Sequence, residues 1–292
     1  MKALPALRFG DKDVTGDRPL VMAIVNRTRD SFFDGGSTFD AQSALDAVDT
    51  AVADGADIVD IGGVRAGAQG EPVDAAEESR RVVPFVAAVR ERHPDLVISV
   101  DTWRGEVARQ VCEAGADLLN DTWAGADPQL VRVAAEFGVG MVCSHTGGLP
   151  PRTDPYRVRY TDVVAEAVGG LVERAEHAVA AGVPPAGVLV DPTHDFGKNT
   201  WHGLELVRRV DELTATGWPV LMAMSNKDFV GETLGAEVSE RLEGTLAATA
   251  VAAWGGARVF RAHQVAETRR VLEMVASIAG TRPPAEVLRA LA

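Results

Sequence analysis

The chain has 292 residues, of which 46% are hydrophobic but only 5% aromatic, and a formal net charge of −13 from 42 acidic against 29 basic side chains. That length suits one large α/β domain or two small ones, built on an aliphatic core of Ala, Val and Leu. The charge excludes a general nucleic-acid or anionic-membrane binder, because phosphates would be repelled, yet leaves room for a small anion held by local cations.

The N-terminus, MKALPALRFGDKD, has no apolar segment of signal-peptide length, and no later apolar run approaches the ~20 residues of a membrane span. Residues 6–17 read as a short polar hairpin, so an extension over 1–17 is expected before a domain at 18–281. From Pro19 the chain alternates. Short apolar strands are expected near 20–25, 57–61, 96–100, 117–119, 139–143, 187–190, 219–223 and 258–260. Between them Ala-rich segments with helical periodicity cover 41–54, 74–92, 104–115, 128–136, 160–181, 202–215, 239–255 and 264–278. Eight strands alternating with eight helices predict an α/β fold, a single (β/α)8 TIM barrel with a short N-terminal hairpin. A doubly wound open sheet is the alternative, but no GxGxxG follows the first strand. A tail over 282–292 carries Pro283-Pro284 and a short helical pattern expected to pack outside the barrel. Cys112 and Cys143 lack metal-ligand spacing and fall in elements expected to be buried, which fits reduced thiols in the cytoplasm.

In a barrel the C-terminal ends of the strands share one mouth. Polar residues follow nearly every predicted strand: Asn26, Thr28 and Asp30; Asp60 and Gly62-Gly63; Asp101 and Thr102; Asn120 and Asp121; Ser144 and His145; Asp191, His194, Asp195 and Lys198; Ser225, Asn226 and Lys227; Arg261 and His263. Taken singly, a strand-end Asp such as Asp101 or Asp121 is as readily a helix N-cap, and Lys227 a solvated surface lysine. Their common location argues otherwise. Carboxylates and amides suit a nitrogen-rich ring, and Lys, Arg and His suit an anion. The mouth is expected to take a heterocycle carrying phosphate, with a divalent metal bridging its oxygens.

The same residues carry a family likeness. Asn26-Arg27-Thr28-Arg29-Asp30-Ser31-Phe32-Phe33-Asp34-Gly35-Gly36, ADIVDIGG, Ser99-Val100-Asp101-Thr102, Leu119-Asn120-Asp121, Asp191 to Lys198, Ser225-Asn226-Lys227 and Arg261-Ala262-His263 stand in order along the chain. Over roughly 18–280 the sequence resembles dihydropteroate synthase, which joins 6-hydroxymethyl-7,8-dihydropterin pyrophosphate to p-aminobenzoate and releases pyrophosphate. The resemblance implies that Asp101, Asn120, Asp191 and Lys227 bind the pterin, with Asp101 also stabilising positive charge as the C–O bond breaks. It implies that Asn26, Arg261 and His263 hold the pyrophosphate, with Asn26 on Mg²⁺. Asp101, Lys227, Asn26 and Asp30 would form the catalytic set. The implied partners are a pterin pyrophosphate, an aniline-type acceptor and a second copy of the chain, the last through outer helices such as 244–253 and 271–278.

The departures from the family pattern cluster. After Gly62-Gly63 the family carries Glu-Ser-Thr-Arg-Pro-Gly, a loop that closes over p-aminobenzoate; here the residues are Val64-Arg65-Ala66-Gly67-Ala68-Gln69. Arg29 stands for a proline and Arg27 for a small apolar residue; the two arginines are expected to favour a more anionic partner or to bind pyrophosphate. Asn226 stands for an arginine and Gln264 for an acidic residue. The second-substrate contacts expected here are Arg29, Arg65 and Ser225. Two readings follow: a dihydropteroate synthase with an altered lid, or a divergent paralogue that keeps the pterin-pyrophosphate site without that activity. A pterin-dependent methyl-transfer protein is a third, against which Asn26 and Arg261-x-His263 count.

Overall fold

The computed structural model describes residues 6–14, 18–28, 40–65, 67, 70–153 and 158–288. A hairpin of β1 (Leu7–Phe9) and β2 (Lys12–Val14) precedes eight parallel strands: β3 (Leu20–Asn26), β4 (Ile58–Gly62), β5 (Val97–Asp101), β6 (Leu118–Asp121), β7 (Gly140–Ser144), β8 (Val188–Asp191), β9 (Leu221–Met222) and β10 (Val259–Ala262). Their order is β8-β7-β6-β5-β4-β3-β10-β9. A parallel bridge from Val190 to Val220, with Val190 N–H donating to Pro219 at 3.0 Å, brings β8 to β9 and closes the barrel. Each strand falls within two residues of the sequence expectation.

The helices are α1 (Ala41–Ala53), α2 (Ala75–Arg92), α3 (Gly105–Glu113), α4 (Gln129–Phe137), α5 (Val163–Ala180), α6 (Thr200–Arg208), α7 (Val210–Ala215), α8 (Asp228–Leu234), α9 (Leu242–Trp254) and α10 (Val265–Ile278). Three outcomes differ from the sequence expectation. The helix expected over 202–215 breaks at Arg209, whose backbone leaves helical geometry (φ −110°, ψ 29°) and whose guanidinium bonds Asp162, Glu205 and Glu212. Helix α8 starts directly after Lys227, inside a stretch expected to be loop. In the tail, residues 283–288 form no helix and lie exposed, so the packed helical pattern is absent from this part.

Strand alternation splits the aliphatic core into two layers. Met22, Ile58, Val97, Leu118, Val142, Leu189, Leu221 and Val259 fill the barrel interior, and Leu7 and Phe9 of the hairpin plug its lower end. Gly140 makes that plug possible, since a Cβ there would lie 2.6 Å from the Phe9 ring. Asp117 ties the plug in place, accepting from Lys12 Nζ at 2.7 Å and from Ile98 N–H at 2.8 Å. The second layer, including Val21, Val59, Ile98, Leu119, Cys143 and Val190, packs outward against the helices. Cys112 and Cys143 are buried and unpaired. No helix among the described residues is long and apolar enough to cross a membrane.

Candidate active site at the barrel mouth

With the lower end plugged, the open end is built by the strand termini, and register sets its first tier. Asn26 pairs with Gly62, Gly62 with Asp101, and Asp101 with Asn120, so four successive strands deliver these residues side by side. Gly62 lies directly beside the Asn26 amide and Asp101: a Cβ there would sit at ordinary contact distance, 3.5 Å from Asn26 Oδ1 and 3.8 Å from Asp101 Cβ.

Beneath this tier lies a carboxylate floor. Asp60 is fully buried and accepts from Ser99 Oγ at 2.6 Å, Asn120 Nδ2 at 3.1 Å and Arg261 Nε at 2.6 Å. Arg261 extends its other arm to Asp101 at 3.2 Å, while Thr122 Oγ1 donates to the opposite Asp101 oxygen at 2.7 Å. Burial pushes Asp101 up to about 7, opposed by the Arg261 charge and reinforced by Asp60, and its side chain keeps 18% of its surface open to the mouth. Neither Asp101 nor Asp121 caps a helix. Asp127 serves α3 and α4 instead, accepting from Gly105 N–H at 2.7 Å and Gln129 N–H at 2.9 Å.

Across the mouth, the loop after β8 is held by polar contacts. Asp191 is buried, accepts from Thr193 N–H at 2.7 Å, and has its acidity weakened by burial against the pull of Lys227. Lys198 donates to the carbonyls of His145 at 2.5 Å, Phe196 at 3.1 Å and Thr193 at 3.3 Å, stapling the β7 and β8 loops together. Lys227 donates to the His194 carbonyl and lies 4.8 Å over the Phe196 ring. Phe196 meets Trp123 edge-on at 5.0 Å, and Trp123 meets Trp103 at 6.5 Å, so an aromatic wall runs from the β8 loop to the β5 loop. Ser225 Oγ lies 2.9 Å from His263 Nδ1, and Asn226 Nδ2 donates to Gln264 at 3.2 Å.

Backbone strain marks the same rim. Every described non-glycine residue with positive φ follows a mouth strand: Ala124, Arg152, Thr193, Asp195 and Asn226. Such conformations persist where surrounding contacts impose them, as in ligand sites.

The expected site residues divide accordingly. Asp101, Asn120, Asp191, Lys227, Asn26, Arg261, His263 and Ser225 all stand at strand ends or in the loops just beyond. Arg65 is described as half-buried in the β4 loop, whereas Arg29 and Asp30 lie outside the described residues. Arg261 turns inward onto Asp60 and Asp101. Arg27 donates to the Asp40 carbonyl at 2.9 Å, and its guanidinium lies 4.8 Å over the Phe85 ring on α2, which ties it to the helix layer. Contacts missed in the sequence are Thr122, the Trp103–Trp123 wall and Arg152, which reaches from the β7 loop to the carbonyls of Gly67, Gly70 and Glu71 in the β4 loop. Thr122 and Trp123 directly follow Asn120-Asp121 and were findable there; Arg152 carries no local signal.

A family model described as pterin binding enzyme matches residues 22–263. A Mycobacterium tuberculosis protein named inactive dihydropteroate synthase 2 is 61% identical over 285 residues, covering 96% of this chain and 89% of that protein. Dihydropteroate synthase of Streptococcus pyogenes is 36% identical over 261 residues, covering 88% and 95% respectively. Among solved structures, Xanthomonas albilineans dihydropteroate synthase with 4-aminobenzoic acid matches with a TM-score of 0.86 at 36% identity, covering 94% of this chain and 98% of that one. With a barrel whose mouth carries the expected carboxylates, amide and lysine, the chain belongs to the pterin-binding enzyme family, as a divergent member of its dihydropteroate synthase branch.

Proposed function

We propose that this chain binds a pterin pyrophosphate in the barrel mouth and does not complete dihydropteroate synthesis from it. The observation that carries the reading is the contrast within the mouth. The floor of Asp60, Asp101, Asn120 and Arg261 is assembled, with Asp191 and Lys227 standing opposite, while the β4 loop lacks its hydroxyls and is roped by Arg152. The 61% identical relative named inactive dihydropteroate synthase 2 points the same way.

The residues divide the work. Asp101 and Asp191 accept N–H groups from the ring's amino edge, and Asn120 offers an amide beside them. Lys227 has ammonium protons beyond the one given to His194, available to a ring acceptor. Trp123 and Phe196 supply the apolar wall. Arg261 holds Asp60 and Asp101 and steadies the floor. His263 and Asn26 face the diphosphate end. Among the described residues no three His, Cys, Asp or Glu side chains converge on a metal position. The Asn26 amide oxygen, at the end of β3 beside Gly62, would hold a Mg²⁺, a hard cation suited to oxygen ligands. Such an ion would neutralise charge on a leaving pyrophosphate.

We further propose a homodimer. Val251 and Trp254 on α9 and Met274 and Ile278 on α10 are each more than half exposed on neighbouring helices, an apolar face suited to a second copy. The free buried thiols suit a cytoplasmic protein. The test of function is turnover. Purified chain with Mg²⁺, pterin pyrophosphate and p-aminobenzoate should release no more pyrophosphate than its Lys227→Ala variant. Release well above that control would establish synthase activity and overturn the reading.

A further inference from the structure

A second site lies outside the barrel wall. Strand alternation turns Asn120 and Val142 inward and Asp121, Met141 and Cys143 outward, toward α4 and α5. There a cavity of about 140 Å³ opens, lined by Asp121, Val131, Met141, Cys143, Arg174 and Ala178. At about 30 Å³ per water it has room for several waters or one small molecule.

Asp121 and Arg174 meet in it, with Asp127 and His177 also on its lining. Asp121 is 1% exposed; its Oδ2 accepts from Gly125 N–H at 2.6 Å, and its Oδ1 has no hydrogen-bond partner among the described residues. A buried carboxylate oxygen left so is expensive. Arg174, half-buried on α5, lies over Gly125, where a Cβ would come within 2.4 Å of its Nη1. No ion pair joins Arg174 to Asp121, although the guanidinium charge acts on the carboxyl, which burial pushes up to about 6. A simple cation entering the cavity meets Arg174, and a simple anion meets Asp121. An occupant carrying both signs satisfies both: Asp127, also on the lining, is already engaged by the Gly105 and Gln129 N–H groups, and Val131, Met141 and Ala178 supply an aliphatic side.

We propose that this cleft between α4 and α5 binds a small zwitterion of the α-amino-acid class. The ammonium donates to Asp121 Oδ1, the carboxylate takes the Arg174 guanidinium, and a short aliphatic side chain rests on Val131, Met141 and Ala178. The site is separate from the mouth and uses none of its residues.

Thermal unfolding of the full chain tests this, with L-alanine and L-valine as ligands and acetate and methylamine as single-charge controls. A saturable rise in Tm is expected with an amino acid and with neither control. Arg174→Met should weaken the apparent affinity about tenfold or more, as loss of a charge-assisted contact does. Lys227→Ala should leave it unchanged. Asp121→Asn is a second variant, but Arg174→Met is decisive because Arg174 is not part of the core. No saturable shift with either amino acid, an equal shift with acetate or methylamine, an undiminished shift in Arg174→Met, or its loss in Lys227→Ala would each overturn the proposal.

Discussion

Replacing Arg261 with Met removes the one cation, among the described residues, that bridges the floor carboxylates Asp60 and Asp101. Asp60 is fully buried and Arg261 only 17% exposed, so the pair is screened little by water. In the variant Asp60 keeps only two neutral donors, Ser99 at 2.6 Å and Asn120 at 3.1 Å, and Asp101 keeps Thr122. Breaking a buried pair by removing one partner costs about 3–5 kcal/mol, because the remaining charge is uncompensated. For a domain of this size that is roughly 5–8 °C in Tm. Asp60→Asn combined with Arg261→Met removes the uncompensated charge at position 60, though not that of Asp101, so the double variant should be more stable than the sum of the singles by about 2 kcal/mol. Scanning calorimetry of the four proteins completes the cycle. A Tm shift under roughly 2 °C for Arg261→Met, or strict additivity in the double variant, would show that Arg261 does not hold the floor.

Three other outcomes are expected. Arg152→Ala releases the Gly67, Gly70 and Glu71 carbonyls, so hydrogen exchange around the β4 loop should rise while global stability falls by no more than about 1 kcal/mol; unchanged exchange would remove Arg152 as the tether. Asp101 titrates near 7 in the folded chain, raised from its ordinary value by burial, and a ring N–H needs the ionised form as acceptor; affinity for 6-hydroxymethylpterin should therefore rise between about pH 6 and pH 8, and a flat profile would contradict that role. The same raised value means that ionising Asp101 favours unfolding, so this group's contribution to stability should decline as pH passes from the ordinary carboxylate range through 7. Trp254→Glu on the exposed face of α9 should convert a dimer to monomer in sedimentation; a wild-type monomer, or a dimer indifferent to the change, would move the interface elsewhere.

Hydrophobic period and strand-end polarity made the barrel legible. Strands such as β3 and β8 are short apolar runs ended by a polar residue, and the structure reproduces them to within two residues. Placement at the mouth was legible for Asp101, Asn120, Asp191 and Lys227 because strand ends share one location. Direction was not. Arg27 carries the same charge whether it faces an anion or the Phe85 ring, and only the packing of α2 against β4 decides which. The turn of Arg261 onto Asp60 depends on a residue 201 positions away. The break at Arg209 coincides with its pairing to Asp162, the N-cap of α5 and 47 residues away, and helix α8 is only seven residues long, too short for periodicity to separate it from a loop. Arg152 acts only through backbone carbonyls of another loop, a contact that leaves no trace in side-chain pattern.

The central claim is that the pterin half of the site is kept and the acceptor half is not. Calorimetric titration of pterin pyrophosphate with Mg²⁺ into the purified chain, followed by p-aminobenzoate into the complex, tests it most directly. Saturable pterin binding that Lys227→Ala and Asp191→Asn abolish is expected, with no heat of binding or condensation on adding p-aminobenzoate. Absence of pterin binding, or tight capture and conversion of p-aminobenzoate, would contradict it.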